Sequence, residues 1–288
     1  TAYEIVDCDW EFRRVLFRSV VDCGNHSEET REVWRQLIDN WLAGEPITRI
    51  VLTHAHPDHF GSAPWLLEHT GARLSLAREE WHAMQHLWRG SSERPKELAG
   101  FFRTRGVAER HLPSIQLFME GFRHGCPPCD HDPCFIGPGE RLRIGEQDWV
   151  LHGGYGHTPC NLLLWRESDG TIITGDQVLP AITPNVSLWY DSESDPMGSK
   201  LETLSRLQTL TVSLALPAHG DPFGNFSGRC SALVRTYERR SERVRQRLRR
   251  GAANLEQLGE AGFGKSLNGP MYMLVAGQLL ALLAYLQA

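Results

Sequence analysis

Residues 53–59 read THAHPDH and follow the apolar run Ile50, Val51, Leu52, so three imidazoles and a carboxylate fall within six positions at a strand end. Neutral imidazole nitrogens and carboxylate oxygens are the ligands of a divalent ion of borderline softness, and a hydrolytic site keeps one position for water. His54 and His56 stand two apart, so extended backbone lets both converge from one strand end. Asp58 and His59 follow Pro57 around a turn and can aim at a second ion. One loop can thus serve two metals. A cluster of this kind at a strand end is improbable as a set of unligated surface or core histidines.

Four apolar, β-branched segments share one design: RIVLTH (49–54), WVLHGGYGH (149–157), TIITGD (171–176) and SLALPAH (213–219). Each reads as a short strand that delivers a His or Asp just beyond its carboxyl end, which gathers His157, Asp176 and His219 with the 54–59 loop at one edge of a sheet. Rigid strand ends feeding loops are where α/β proteins build sites. Helical spacing at 28–44, with Gly44 as a stop, and at 62–71, with Pro64 early and Gly71 at the end, supplies cover for the sheet faces. Residues 76–125 read as mostly helical, in the manner of a lid over a site. A long helix is expected from Ser227 to Arg250, then two more at 253–261 and 270–287. Residues 1–239 are assigned to a catalytic domain and 240–288 to a small helical appendage.

The chain of 288 residues can bury a sizeable core. A net charge of -5 with 23% charged residues gives no global basic field for nucleic acid. The apolar stretch Met271 to Leu286 is interrupted by Gly277 and Gln278 and reads as a buried helix, so no membrane partner is expected. Seven cysteines in a chain this long do not form a disulfide framework, and no leader is visible before TAYEIVDCDW, so a reducing cytoplasm is the default location. Residues 11–19, EFRRVLFRS, correspond codon for codon to one frame of a common sequencing-library adapter, so no function is read from Arg13, Arg14 or Arg18.

THAHPDH, GYGHTP, TGD and PAHG, in that order and at these intervals, resemble the metallo-β-lactamase superfamily, over roughly residues 20–225. The resemblance implies an α/β fold, an αββα four-layer sandwich with a binuclear metal site on one edge. It makes His54, His56 and His157 ligands of a first metal, Asp58, His59 and His219 ligands of a second, and Asp176 the bridging carboxylate. Asp58 and Asp176 are the implied catalytic pair. Zinc β-lactamases of the superfamily generally lack a bridging Asp at the position of Asp176, which turns the expectation away from penicillin hydrolysis. Flavodiiron oxygen reductases carry an acidic residue where this chain has His56, and persulfide dioxygenases use one metal rather than two.

More narrowly, TGDQVLPAITPNVSLWYDSESDPMGSKLETL resembles glyoxalase II-like bacterial hydrolases with a helical, winged-helix-like C-terminal extension, here cut before its wing. The usual HTPGH is HTPCN, so Cys160 replaces a Gly and Asn161 a ligand-supporting His. The cofactors implied are two divalent ions, Zn2+ first, with Fe or Mn suited to the same ligands. Two ions roughly 3.5–4 Å apart bring the pKa of a bridging water from near 16 towards about 7, giving a hydroxide that attacks a small ester or thioester. The alternatives are phosphodiester cleavage, as in the superfamily's nucleases, and a tail acting as a nucleic-acid or partner-binding module. Oligomeric state is not read from the sequence.

Three other features compete for a role. CPPCDHDPC (126–134) has C-x-x-C spacing with His131 and Cys134 as further ligands, against the plainer reading of a Pro-rich loop with unligated thiols. The Arg-rich run 235–250 reads first as a solvated cationic face and second as an attractor of phosphate or of an acidic thioester. Trp189 and Tyr190 stand evenly between substrate pocket and core.

Overall fold

The computed structural model describes residues 19–42, 45–88, 94–189, 192–251, 253–264 and 271–288. Gly44, Tyr190 and the adapter-like stretch up to Arg18 lie outside these residues. Among the described residues nine strands form two sheets. The first is all parallel, in the order β1 (Ser19–Val21), β2 (Arg49–Val51), β3 (Arg73–Leu76), β4 (Cys134–Phe135). Parallel neighbours need crossovers. These are α1 (Glu28–Gln36), the pair α2 (Pro57–Phe60) and α3 (Ala63–Thr70), and the helical run α4 (Arg78–Ala83), α5 (Arg94–Thr104) and α6 (Leu112–Gly125). The expected helix over 28–44 closes differently: its last turn widens so that the Leu42 N–H reaches the Leu37 carbonyl at 3.0 Å.

The second sheet runs β5 (Arg141–Ile144), β6 (Gln147–Gly154), β7 (Asn161–Arg166), β8 (Thr171–Gly175), β9 (Leu214–Pro217), antiparallel through β8 and parallel between β8 and β9. β6, β8 and β9 therefore point the same way and end at the same edge, where β2 of the first sheet also ends. The four ligand-bearing segments meet as the sequence implies, but across the junction of two sheets rather than along one.

Side-chain alternation explains the layering. Val51, Leu151, Leu164 and Trp149 fill the gap between the sheets, with Ile173 against them. Their chain neighbours Ile50, Leu52, Leu163 and Ile172 face outward into a larger cluster with Trp34, Phe60 and Leu66 on one side and Met197, Leu204 and Leu233 on the other. Both outer faces are thus helix-covered, which is the αββα sandwich. Helix α7 (Pro196–Leu207), opened by the Asp195 side chain on the Gly198 N–H at 2.9 Å, covers the second sheet.

Helix α8 (Phe226–Arg249) continues without a break across the boundary expected at 239/240. It buries Cys230, Leu233, Tyr237, Ser241 and Val244 on one face and exposes Arg235, Arg239 and Arg243 on the other, as a solvated cationic face would. α9 (Leu255–Phe263) and α10 (Met271–Gln287) follow. Leu255, Leu258, Tyr272, Met273, Leu279 and Leu282 belong to the same cluster as Leu204 and Phe60. His111 stacks on Tyr272 at 3.7 Å and its Nε2 lies 2.9 Å from Glu256, which clasps α6 to the tail. Among the described residues no helix is long and apolar enough to cross a membrane.

Each large apolar side chain that is fully buried contributes roughly 1.5–3 kcal/mol. The six tail residues together therefore match the net stability of about 5–15 kcal/mol that holds a domain folded. A chain ending at Arg250 is expected to lose its cooperative thermal transition or to aggregate. A soluble 1–250 fragment melting as sharply as the full chain would show that the tail is a separable appendage.

Candidate metal centre

The seven expected residues converge in two groups that share Asp176: His54, His56, His157 and Asp176, and Asp58, His59, Asp176 and His219. Within each, one ligand atom per residue lies within 4.8 Å of the others. Their placement follows from the chain. β2 ends at Val51, Thr53 ties to the second sheet through its carbonyl and the Leu162 N–H at 2.8 Å, and His54 and His56 follow on extended backbone. Pro57 then opens α2, which turns Asp58 and His59 back toward the same space. Gly156 and Gly175 precede His157 and Asp176 with φ of +87° and +49°. A Cβ on Gly156 would run into the Pro196 carbonyl, and one on Gly175 would lie 2.7 Å from Thr53 Oγ1, so both ligands depend on a residue without a side chain.

Three of the five rings are oriented by their other nitrogen. His59 Nδ1 lies 2.7 Å from Asp22 Oδ2, His157 Nδ1 lies 2.8 Å from the Asn185 carbonyl, and His54 Nδ1 lies 3.0 Å from Thr53 Oγ1. Nε2 of His54, His59 and His157 is thereby turned inward, where Nε2 of His219 also points, and Nδ1 of His56 lies 3.1 Å from His54 Nε2. Asp176 divides its oxygens: Oδ2 lies 3.5 Å from His157 Nε2, while Oδ1 lies 3.6 Å from His59 Nε2 and 3.4 Å from His219 Nε2. Asp58 Oδ2 is 3.0 Å from His219 Nε2.

A divalent ion holds such ligands at roughly 2.0–2.2 Å, which sets neighbouring ligand atoms roughly 3–3.5 Å apart. The observed separations match. His59 Nε2, His157 Nε2 and Asp176 Oδ1 are buried without a hydrogen-bond partner, as atoms awaiting a cation would be. The donor set of imidazoles and carboxylates fits two such ions, one per group.

The protons already present differ between the groups. Burial, then the neighbouring rings His59 and His56, hold His54 well below the ordinary histidine range, and burial with His157 pushes His56 down to about 3. Both rings are neutral and ready to ligate. Burial also opposes a charge on His59, but the Asp22 and Asp176 carboxylates prevail and raise it well above the usual value. The hydrogen bond to Asp58 likewise raises His219. Asp176 is held well below the usual carboxylate range: burial resists its ionisation, and His157, His59 and His54 overcome that resistance.

Asp22, which sequence reasoning missed, is the main support of the second group. It accepts from His59, from the Thr53 N–H at 2.8 Å and from Thr53 Oγ1 at 2.8 Å, on backbone with φ +58° that Asp tolerates better than most residues. Its signal was available, because Val20, Val21, Asp22 repeats the pattern of a strand delivering an acid. Asn161, in the place of the family's His, reaches no ligand side chain. Its Oδ1 accepts from the Asp176 N–H at 3.3 Å and its Nδ2 donates to Thr174 O at 3.4 Å, so it braces the turn that presents Asp176.

The cysteine loop forms no cation site among the described residues. Cys126 and Cys129 are buried while Cys134 and His131 are exposed. Burial, then Asp58, pushes the Cys126 thiol up to about 12, so it stays protonated. Trp189 packs against the main apolar cluster.

The sequence profile of the metallo-β-lactamase superfamily matches residues 19–219. The chain belongs to that superfamily. Among solved structures it is similar to a β-lactamase domain protein from Burkholderia ambifaria, at 30% identity and TM-score 0.78, over 93% of this chain and 77% of that one. A metallo-β-lactamase family protein from Thermus thermophilus has the same fold, at TM-score 0.77 and 24% identity over 93% of this chain and 84% of that one. A probable metallo-hydrolase of Bacillus subtilis, YqjP, is 25% identical over 80% of this chain and 72% of its own length.

A ring must lose its proton to ligate, so protons compete harder where the pKa is raised. On acidification from about pH 7.5 to about pH 5, followed by dialysis and metal analysis, the ion of the His59–His219 group is expected to leave before that of the His54–His56 group. Loss of both in one step would contradict the asymmetry. Asp22→Asn is expected to weaken one ion by about 10–100-fold, measured by competition with a chromophoric chelator.

Proposed function

We infer that the protein is a two-metal hydrolase of a small ester or thioester, in the manner of the glyoxalase II-like branch. The observation that carries this reading is Asp176, with one oxygen turned to each group. When bound, two divalent ions, Zn2+ first and Fe or Mn as alternatives, supply Lewis acidity and a water acidified toward neutral pH. No protein nucleophile is then required. Asp176 holds the two groups in register, and the supports at Asp22 and Asn185 keep the rings from turning.

Approach is from the second group. The side chains of Asp58 and His219 are 35% and 38% exposed, whereas in the first group His54 is buried and the His157 side chain is 7% exposed. Asp58 is therefore the carboxylate that meets substrate, and it is assigned to accept or pass a proton there. A groove of about 360 Å³, lined by Pro57, Ser114, Leu117, Phe118, Gly121 and Phe122, adjoins the 54–59 loop. No cationic side chain lines it, which suits an organic acyl or alkyl group better than a polyanion. Similarity to a probable metallo-hydrolase points to the same reaction class.

The second reading, phosphodiester cleavage with the tail binding nucleic acid, draws on the exposed Arg235, Arg239 and Arg243 of α8. Hydrolysis of S-lactoylglutathione or of simple thioesters by the metal-loaded protein, abolished by chelator, is the expected result. Asp176→Asn is expected to lower kcat/KM by at least about 100-fold, since charge stabilisation by the ions is worth several kcal/mol. Cleavage of single-stranded RNA with the same chelator and Asp176 dependence, and no thioester turnover, would favour the second reading instead.

A further inference from the structure

Glu80 lies in the first turn of α4, on the segment that follows β3, and only 2% of it is exposed. Its Oε2 accepts from the Ala55 N–H at 3.0 Å, and its Oε1 accepts from the Cys160 N–H at 2.7 Å. Ala55 stands between His54 and His56, and Cys160 three residues beyond His157. One carboxylate thus grips, through backbone, both loops that furnish the three imidazoles of the first group. The loops come from different sheets, and a bidentate acceptor fixes a separation that neither sheet sets alone. A carboxylate is costly to bury unless its oxygens are satisfied, and charge-assisted bonds to backbone N–H groups are among the stronger ways to satisfy them.

We propose that Glu80 is the positioning residue of the first metal group, holding the His54–His56 loop and the His157 turn at ligating distance. Its hydrogen bonds go to the amides of Ala55 and Cys160 rather than to a ligand side chain. Asp22 plays the corresponding part for the second group, through His59. The two groups therefore have different main supports, Asp22 reaching His54 only at one remove through Thr53 Oγ1, and loss of one main support is expected to weaken one ion more than the other. The proposal rests on the two-metal reading and is independent of which bond the enzyme cleaves.

Glutamine at this position keeps the size but can accept from only one of the two amides, and it confronts the other with an N–H. Aspartate keeps the charge but is one methylene short of spanning both. The full chain is stripped with chelator and titrated with Zn2+ by equilibrium dialysis, as wild type, Glu80→Gln, Glu80→Asp, Asp22→Asn and the Glu80→Gln/Asp22→Asn pair. Circular dichroism of each metal-free protein separates a folding defect from a site defect. The wild type is expected to hold two ions tightly. Each Glu80 variant is expected to weaken one ion by about 10–100-fold and spare the other, Asp22→Asn to weaken the spared one, and the double variant to hold neither. Three results overturn the proposal: both ions retained in the Glu80 variants, both weakened equally, or one ion still held tightly by the double variant. Fewer than two tight ions in the wild type would defeat the two-metal reading itself, a distinct result read before any variant is compared.

Discussion

A carboxylate enclosed by imidazoles is tolerated only if protons and lone pairs are arranged in a single way. Asp176 is in that position, with His54, His157 and His59 holding its charge against the cost of burial. Each of its oxygens faces a different group of rings, so it cannot turn to favour one group without abandoning the other. The His157 and His59 rings, 3.5 and 3.6 Å from an Asp176 oxygen and with their remaining nitrogens committed to Asn185 and Asp22, leave inward-facing lone pairs that only a cation or a proton can use. The centre is thereby organised before any ion arrives, and the two groups differ in their hold on protons: burial keeps His54 and His56 low, while carboxylate partners raise His59 and His219.

That arrangement is only as precise as the irregular chain that presents it. The stretch from Gln177 to Leu188 runs without a ladder, and its carbonyls need donors. Side chains of the covering helices supply them. Lys200 Nζ donates to Gln177 O at 2.8 Å, Arg229 to Leu179 O at 2.5 Å and Ile182 O at 2.6 Å, and the Tyr237 hydroxyl to Pro184 O at 2.6 Å. Burial alone pulls the Lys200 amine down to about 7, despite the nearby Asp176 charge. The last carbonyl in the series, Asn185 O, is the one that orients His157. Helix α8 is thus continuous, through Arg229 and Tyr237, with the support of a metal ligand, which is why residues beyond 226 share the main core instead of forming a free lobe.

The ligand set was legible because its residues sit at strand ends, where chemistry and local structure coincide. RIVLTHAHPDH combines a β-branched run, a breaking proline and four ligands in one window, and a short-range reading suffices. Glu80, Lys200, Arg229 and Tyr237 had no such signature. Each acts on backbone 23 to 80 residues away in the chain, and their types are those of any amphipathic helix. The division of strands between two sheets was equally hidden, since β2 and β8 look alike in sequence and differ only in which neighbours they find. Asp22 lay between these cases: its strand-then-acid pattern is local, but the function of that acid appears only when His59 is brought to it.

The same logic separates reaction from substrate. Ligands and their supports belong to strand ends and to residues pressed into the core, where any change disturbs several contacts at once. Under the proposed function the walls a substrate would meet belong to α6, whose outward face carries Leu117 at 64% exposure beside Gly121, where an added Cβ would find open space. Phe122 of the same helix sets its ring edge-on to His56, with centroids 5.8 Å apart. One face of α6 is therefore bound to the metal loop while the other is free to vary without cost to folding. A scaffold built this way holds its chemistry fixed and leaves selectivity to a helix whose exposed positions no packing constraint protects, so the apolar character of those positions bears more directly on the substrate than the metal centre does.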